Sequence, residues 1–368
     1  MENLLVVSCV SDDVKAPLSM YILRNYKADV IAGVEKYAKE FGAKILYLLP
    51  EQEEVDGLNG EIRYTKMSSP TLNNPYAVAQ VLSGNLPRPM IQDGYVAIYD
   101  EKAVSVITPE AAYGMTKGFD EKFVAINSGE KTEIKKTTVG QPVGEIASVD
   151  SAKAVLLGGL KGRFVTGPEA SKIKIDETEN FSSITIYNEG DCIVDACVQL
   201  MNAAYENSCG KCVLCREGTS QFKQIVTEMT TGKAKMSDVD LIKEVSELIT
   251  IGAYCPFGQH MTRPLTTAME LFAEEFEEHI KKKSCKCGKC YKQAELYYID
   301  PDECIGCGEC IDACPEDAIE GKDGFIHIID QDLCEQCGKC VAACEEGCIK
   351  TATKLPKLPK KKTKCGKW

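Results

Sequence analysis

Two runs of cysteines towards the end of the chain repeat at a fixed spacing. The chain has 368 residues and 20 cysteines, and a period of 30 residues relates Cys304, Cys307, Cys310 and Cys314 to Cys334, Cys337, Cys340 and Cys344. In C-x2-C-x2-C-x3-C runs, the first three thiolates hold one cluster and the fourth ligates the other. The spacing therefore predicts one [4Fe–4S] cluster on Cys304, Cys307, Cys310 and Cys344, and a second on Cys314, Cys334, Cys337 and Cys340.

Residues 296–353, which contain both runs, resemble a bacterial two-cluster ferredoxin. Gly306, Gly308 and Gly338 leave room for the backbone to approach the cluster sulfide closely. Glu345 stands where a proline often follows the last cysteine, and we expect this departure to change local geometry rather than ligation. Structural zinc is the alternative for such thiols. Eight cysteines at this doubled spacing favour iron–sulfur clusters.

A second cysteine motif lies in the middle of the chain. Cys209, Cys212 and Cys215 fall within SCGKCVLCREGT, and a lone Cys255 follows in GAYCPFGQ. Three thiols lie at the beginning of one predicted helix, and a distant fourth lies between two others. The four could therefore come together at the end of a helix bundle. The motif predicts a third [4Fe–4S] cluster, with tetrahedral zinc as the alternative.

A third group of cysteines is ambiguous. Cys285, Cys287 and Cys290 lie in a lysine-rich linker, and three thiols at this spacing could bind zinc. The candidate fourth ligands are Cys365, Cys348 and His279, with Cys365 preferred. Nearby lysines favour the thiolate form and offset the negative charge of such a site. A fourth iron–sulfur cluster and free thiols in a reducing cell stay open as alternatives.

The elements that hold these groups change character along the chain, and together they predict an α+β multidomain protein. Strand and helix patterns alternate at first, short strands with glycines follow, and helical periodicity then recurs four times. The predicted parts are a partial α/β domain (1–118), a small β-rich domain (119–190), a four-helix bundle (191–283), a Cys- and Lys-rich linker (284–295), a ferredoxin domain (296–353) and a flexible basic tail (354–368).

Individual elements follow from the apolar pattern. Strands are predicted over 4–10, 44–49, 95–99, 104–107, 123–127, 154–157, 163–166 and 183–187. Helices are predicted over 25–41, 73–89, 192–207, 219–231, 237–251 and 262–283. Asp191 and Ser237 are the expected N-caps, and Gly232 is an expected helix end. Cys192 and Cys197 are expected to be small apolar core residues of the first bundle helix.

The composition excludes several classes of protein. Lys and Arg total 43 against 55 Asp and Glu, a net charge of −12, which argues against a nucleic-acid binder. No apolar run approaches the roughly 18 residues that a membrane helix needs. The uneven distribution of cysteines indicates metal chemistry rather than a disulfide framework. Because the start lacks the positive flank and apolar stretch of a signal peptide, we expect a cytoplasmic protein.

The segment SCGKCVLCREGT with the distant Cys255 resembles the NADH-oxidising flavoprotein subunit of respiratory complex I. The same module occurs in NAD-linked, often electron-bifurcating, iron hydrogenases and in formate dehydrogenases. In the hydrogenase-type relatives a two-cluster ferredoxin domain follows it, as in this sequence. The resemblance covers residues 20–353 and implies a β-grasp, SLBB-like fold for residues 119–190. It also implies one [4Fe–4S] cluster held by Cys209, Cys212, Cys215 and Cys255.

The sequence departs from this family in its front half. Members that oxidise NADH carry GRGGAGFPTG and a segment like GAGAYICGEE, which hold the phosphates of FMN and NADH. Neither segment is present, and residues 74–84 occupy the place of the second without its glycines and acids. Because backbone N–H groups in such loops bind phosphate, we expect no FMN and no NADH site. The comparison implies a degenerate flavin domain, truncated at its front.

We therefore predict an iron–sulfur electron-transfer subunit with three [4Fe–4S] clusters and no catalytic residues of its own. It would relay electrons between a partner flavoprotein and ferredoxin, or another catalytic subunit of a hetero-oligomeric, anaerobic oxidoreductase complex of the kind that includes electron-bifurcating enzymes. One alternative is an NADH dehydrogenase subunit that binds FMN within residues 1–118 by another mode. The other alternative is a zinc and iron–sulfur scaffold or redox sensor.

Overall fold

A computed structural model of the chain shows a mixed α+β protein. The structure describes residues 3–11, 16–66, 70–85, 96–175, 181–290, 296–331, 333–352, 355–359 and 361–368. The chain divides into two compact units, Met1–Tyr291 and Lys292–Trp368, and each is described by itself. None of the helices in the described part of the chain is long and apolar enough to cross a bilayer.

The first unit begins with a five-stranded sheet in the order β3-β2-β1-β5-β4, parallel except for its edge strand β4. Its elements are β1 (Asn3–Ser8), α1 (Leu18–Asn25), α2 (Lys27–Phe41), β2 (Ala43–Pro50), β3 (Glu61–Thr65), α3 (Pro75–Leu82), β4 (Ile98–Tyr99), β5 (Lys102–Ile107) and α4 (Pro109–Lys117). Alternate residues of β1 pack against α2 on one face and α3 on the other. The central strand is therefore buried on both faces, as parallel sheets require.

Most of the predicted elements of this region are present. The strands predicted over 4–10 and 44–49 and the helix end at Phe41 are confirmed, and Gly42 adopts the left-handed conformation that ends α2. The helix predicted over 73–89 begins as expected, with Asn74 accepting hydrogen bonds from its first backbone N–H groups. It ends at Leu82, earlier than predicted, and residues from 86 onward lie outside the described residues.

A second sheet follows, in the order β7-β6-β10-β8-β9. Its elements are β6 (Glu121–Ser128), β7 (Lys131–Thr138), α5 (Val143–Ile146), β8 (Ala154–Leu157), β9 (Arg163–Val165), α6 (Gly167–Ala170) and β10 (Ser183–Tyr187). The central pair β6 and β10 is parallel, and the remaining pairs are antiparallel. The polar strand β7 lies outside the predicted strands, because Ile134 is its only apolar residue and one such residue sets no apolar pattern.

Helices make up the rest of the first unit. They are α7 (Ile193–Asn207), α8 (Val213–Thr231), α9 (Met236–Gly252), α10 (Pro256–His260), α11 (Arg263–Leu271) and α12 (Ala273–Glu277), followed by a π-helical turn, Glu278–Lys282. They share a core that includes the fully buried Phe222, Ile249 and Leu265. The N-caps are Cys192 and Lys235, not the predicted Asp191 and Ser237. The single helix predicted over 262–283 is wrong, because the backbone leaves the helical conformation at Phe272.

The second unit is small and repeats internally. Its elements are β11 (Leu296–Ile299), α13 (Glu309–Asp312), β12 (Ile319–Glu320), β13 (Ile328–Ile329), α14 (Lys339–Ala343) and β14 (Ile349–Ala352). Strand β11 pairs with β14 and β12 with β13, both antiparallel. The core is shared with the cysteines and contains two isoleucine pairs 30 residues apart: Ile299 with Ile329, and Ile319 with Ile349.

Part of the basic tail is ordered against this second unit. Ile326 N–H donates to the Thr363 carbonyl (3.0 Å), and Cys365 N–H donates to the Gly324 carbonyl (3.1 Å). These bonds make a short antiparallel bridge between Phe325 and Lys364. The described residues 361–368 therefore depart from the flexible arm that the lysine content predicts.

Candidate metal centres

Cys209, Cys212, Cys215 and Cys255 come together at the beginnings of two helices. Cys212 is the N-cap of α8, Cys215 lies in its first turn, and Cys255 directly precedes α10. Burial, with the nearby charges of Cys255, Cys212 and Cys209, raises the pKa of the Cys215 thiol to about 11 against a weaker opposing hydrogen bond from Ser208. A cation or a cluster that takes thiolates would relieve this mutual repulsion.

Hydrogen-bonding groups around this group lie close to the cysteine sulfurs. The N–H of Tyr254 donates to Cys212 Sγ at 3.4 Å, and Ser208 Oγ lies 3.6 Å from Cys215 Sγ. The N-terminus of the 19-residue helix α8 favours negative charge at the same place. Gly258 lets α10 approach closely, because a Cβ there would lie 2.7 Å from Ala253 Cβ and 3.6 Å from Cys215 Sγ.

The second unit brings the eight repeated cysteines into two groups. Burial and the nearby charges of Cys304, Cys307 and Cys344 raise the pKa of the Cys310 thiol to about 12. Burial, Cys334 and Cys314 likewise raise the pKa of Cys340. One small cavity is lined by the four cysteines of the second group, Cys314, Cys334, Cys337 and Cys340. The fourth cysteine of each run therefore lies with the other run, as the spacing predicts.

Glycines shape the turns that carry these cysteines. Gly306, Gly308 and Gly338 have φ values of 75°, 93° and 74°, in the left-handed region that favours glycine. A Cβ at Gly306 would also lie 2.7 Å from the backbone nitrogen of Phe325. The turn between the first two cysteines of the first run thus requires glycine for both conformation and space.

A fourth group forms where the linker returns to the start of α7. Among the described residues, Cys192, His279, Cys285 and Cys290 place their ligand atoms within 4.8 Å of one another. His279 Nε2 lies 3.1 Å from Cys290 Sγ and 3.4 Å from Cys192 Sγ, and the two sulfurs are 3.2 Å apart. Three thiols and one imidazole at such distances make a Cys3His set, a common tetrahedral zinc site.

The surroundings of His279 and Cys285 fit a metal ligand set. His279 Nδ1 lies 2.7 Å from the carbonyl oxygen of Glu275, which directs the Nε2 lone pair towards the sulfurs. Metal-bound histidines usually donate their other N–H in this way. Burial opposes ionisation of Cys285, but the backbone N–H groups of Cys290 and Lys289, with His279, lower its pKa to about 6.

This group differs from the predicted linker site in two members. Cys285 and Cys290 belong to it, but Cys287 Sγ instead lies 3.3 Å from the carbonyl oxygen of Asp191. His279, one of the alternatives for the remaining position, is present, whereas the preferred Cys365 belongs to the second unit and packs against the core that contains Cys304. Cys192 is buried as expected, yet its sulfur faces the group. No local spacing in the sequence pointed to Cys192.

The fold and these groups define a modular iron–sulfur protein. Residues 195–279 match the family model of the NADH-ubiquinone oxidoreductase-F iron-sulfur binding region, and residues 297–320 and 327–350 each match the 4Fe-4S binding domain. The chain therefore carries one iron–sulfur region of the complex I flavoprotein type and two 4Fe–4S binding repeats. The resemblance inferred from the cysteine motifs is confirmed.

Known relatives are subunits of hydrogenases and of NADH dehydrogenases. The chain is 36% identical over 138 residues to the NADP-reducing hydrogenase subunit HndC of Solidesulfovibrio fructosivorans, covering 38% of this chain and 28% of that protein. It is 32% identical over 103 residues to an NADH-quinone oxidoreductase subunit of Streptomyces coelicolor, covering 28% of this chain and 23% of that protein. The matched region thus spans about a quarter of each relative.

A solved structure shares the fold over a larger part of the chain. The crystal structure of an NAD+-reducing [NiFe]-hydrogenase in the H2-reduced state aligns with a TM-score of 0.69 at 16% identity. The alignment covers 76% of this chain and 57% of the hydrogenase chain. At this identity the likeness establishes the fold.

Proposed function

We propose that the chain is an electron-relay subunit holding three [4Fe–4S] clusters. The observation that carries this proposal is the presence of three separate groups of four thiols, each set in turns and helix starts of an iron–sulfur domain. Such clusters supply one-electron transfer at potentials set by hydrogen bonds and burial. Their ligands would be Cys209, Cys212, Cys215 and Cys255, then Cys304, Cys307, Cys310 and Cys344, then Cys314, Cys334, Cys337 and Cys340.

The relay would carry electrons between a partner flavoprotein and ferredoxin, or another catalytic subunit of the same complex. That complex would be an anaerobic oxidoreductase, of a class that includes electron-bifurcating enzymes. Apolar side chains beside the first group support a partner surface there, since Val213 is 60%, Tyr254 58% and Ile251 83% exposed. Apolar patches of this kind mark protein–protein contacts. We assign this surface to the flavoprotein, because it lies next to part-exposed cluster cysteines, Cys209 and Cys212.

The domain labels form part of the same proposal. The mixed sheet of residues 119–190, with its parallel central pair, suits a β-grasp, SLBB-like domain. The helices of residues 191–283 suit a bundle whose end holds the first cluster, and residues 296–353 suit the ferredoxin domain. The sheet of residues 1–118 suits a degenerate flavin domain, with the linker 284–295 and the tail 354–368 as connecting and terminal segments.

A zinc ion at Cys192, His279, Cys285 and Cys290 completes the proposed cofactors. The ligand atoms fit its tetrahedral preference, and the ion would tie the linker to the start of α7. It would supply no redox chemistry, because zinc does not change oxidation state in proteins. The alternative function, a zinc and iron–sulfur scaffold, would rest on this ion. A relay passes electrons and a scaffold does not, so a measurement of electron transfer separates the two functions.

One observation favours the second candidate function, an FMN-binding NADH dehydrogenase subunit. A cavity of about 680 Å³ lies in the first unit, lined by residues that include Ser11, Thr108, Pro256 and His260. Ser11 and Thr108 follow the carboxyl ends of β1 and β5, the position where open parallel sheets bind ligands. The absence of both Gly-rich phosphate segments from the sequence makes flavin the weaker proposal.

Metal and flavin analysis of the full chain, purified without oxygen, tests these functions. The relay predicts about twelve iron atoms per chain, four for each of three clusters, with no FMN. One FMN per chain would replace the relay with the NADH dehydrogenase. About four iron atoms or fewer, with zinc in the remaining thiol groups, would support the scaffold.

A further inference from the structure

The internal repeat of the second unit lets each cluster group serve as a reference for the other. The two 4Fe–4S matches, 297–320 and 327–350, are offset by 30 residues, so every position in one half has a counterpart in the other. The counterpart of His327 is Tyr297, and the counterpart of Cys348 is Ala318. These two differences fall beside the cysteine sulfurs.

Side-chain donors surround the group of Cys304, Cys307, Cys310 and Cys344. His327 is 1% exposed, and its Nδ1 lies 3.2 Å from Cys310 Sγ. A cluster-bound thiolate can only accept a hydrogen bond, so with a cluster on Cys310 the donor in this contact would be His327 Nδ1. Cys348, 4% exposed, places its Sγ 3.4 Å from Cys344 Sγ.

The other group is differently surrounded at the counterpart positions. Ala318 has no side-chain donor, and only its backbone N–H reaches sulfur, 3.4 Å from Cys314 Sγ. Tyr297 lines the cavity of this group, with its hydroxyl 3.3 Å from where a Cβ of Gly338 would stand. Within the described residues, no hydrogen bond joins that hydroxyl to a cysteine sulfur.

Hydrogen bonds to ligand sulfur stabilise a cluster more when it carries the extra electron, because the added negative charge strengthens each bond. We propose that His327 and Cys348 make the cluster of Cys304, Cys307, Cys310 and Cys344 the higher-potential member of the pair. This rests on the proposed relay function. One electron entering the second unit would then come to rest at that cluster, with no proton transfer required.

The test exchanges each residue for its counterpart in the repeat. The full chain, purified without oxygen, is reduced stepwise with dithionite and followed by electron paramagnetic resonance. His327→Tyr and Cys348→Ala are expected to lower the midpoint potential of one and the same signal. For His327→Tyr the ratio of reduced to oxidised cluster at fixed potential falls about tenfold, or 59 mV for one electron. Ala318→Cys should raise the midpoint potential of a different signal, the one with the lower midpoint potential in the unmodified protein.

Matched controls keep the outcomes distinct. Cys9→Ala removes a buried thiol of the first unit and should move no signal. If His327→Tyr loses iron, Cys348→Ala and Ala318→Cys decide the matter. The proposed difference in potential would be overturned if no midpoint potential changes while the iron content stays full. It would also be overturned if His327→Tyr changes the midpoint potential of the lower-potential signal. Fewer than about twelve iron atoms in the unmodified chain would instead overturn the relay itself.

Discussion

At the residue scale, the direction of each sulfur gives Cys192 and Cys287 different roles. Cys192 Sγ lies 3.2 Å from Cys290 Sγ, within the Cys3His group. Cys287 Sγ instead contacts backbone carbonyl oxygens, at 3.3 Å from that of Asp191 and 3.7 Å from that of Glu189. A metal at this group would therefore use Cys192 as a ligand and would not use Cys287.

Removal of a zinc ligand tests this difference. Cys192→Ala and Cys290→Ala are each expected to lower the zinc content from about one ion per chain to well below half, because a structural zinc site needs all four ligands. The measurement is elemental analysis of zinc and iron on the same sample. Iron should stay near that of the unmodified chain.

Cys287→Ala is the matched control, since it removes a thiol from the same linker and should leave zinc bound. Equal zinc loss in Cys287→Ala and Cys192→Ala would contradict the assignment. So would full zinc content in Cys192→Ala.

The sequence could predict the cluster cysteines but not the whole zinc group, for a physical reason. Cluster ligands sit on short turns, so their spacing is fixed by the turn and is visible in the sequence. Cys192 lies at the start of α7, far along the chain from Cys285, and only tertiary packing brings the two together. His279 could be named as a candidate because it is one of only 3 histidines and lies close to the linker.

At the element scale, Gly258 sets how closely α10 approaches the first cysteine group. Gly258→Ala would ordinarily strengthen a helix by about 1 kcal/mol. Here the new Cβ would lie 2.7 Å from Ala253 Cβ, so α10 must shift and carry Cys255 with it. We expect the variant to lose about four of twelve iron atoms, one cluster's share, measured by iron analysis.

A second substitution separates crowding from other effects. Ala253→Gly removes the atom that the new Cβ meets, so the double variant Ala253→Gly, Gly258→Ala should regain most of the iron. Iron loss that persists in the double variant would show that crowding against Ala253 is not the cause.

Glu275 joins three elements around the zinc group. Its carboxylate accepts from Ile193 N–H (2.8 Å) at the start of α7 and pairs with Lys153 Nζ (2.7 Å), while its carbonyl oxygen contacts His279. Both charged side chains are largely buried, 15% and 17% exposed. Glu275→Ala should lower the free energy of unfolding by about 2 kcal/mol, because it leaves the Ile193 N–H unpaired and removes the charged partner of Lys153, which keeps only its bond to the Asp191 carbonyl.

Chemical denaturation of the anaerobic protein measures this loss. Glu275→Gln retains an oxygen for Ile193 N–H and removes only the charge, so its loss should be smaller. If Glu275→Gln and Glu275→Ala are equally unstable, the ion pair with Lys153 accounts for the effect rather than the helix start.

Several apolar strands could be predicted at the right residues, whereas the short helices α1 and α4 could not, although each has buried residues. The apolar strands β8 and β10 appear at the predicted residues, 154–157 and 183–187. Strand β7 could not be predicted, because Ile134 is its only apolar residue. Helix α10 is too short, at five residues, to show a helical period, and Phe272 gives no sequence signal for its bend.

At the scale of the whole molecule, the proposed relay predicts dependence on a partner for reduction. NADH alone should leave the visible absorbance of the isolated chain unchanged, because the sequence lacks the phosphate-binding glycine segments. Dithionite should bleach it. Anaerobic absorbance titration makes both measurements, and rapid bleaching by NADH would favour the FMN-binding alternative.

The short bridge between Phe325 and Lys364 has a practical consequence for anyone preparing this protein. Cys365, the residue after Lys364, packs against the core that contains Cys304, so this bridge lies beside a predicted cluster site. A preparation that has lost residues 361–368 would lose both backbone bonds of this bridge, and we expect oxygen to damage the nearby cluster site faster.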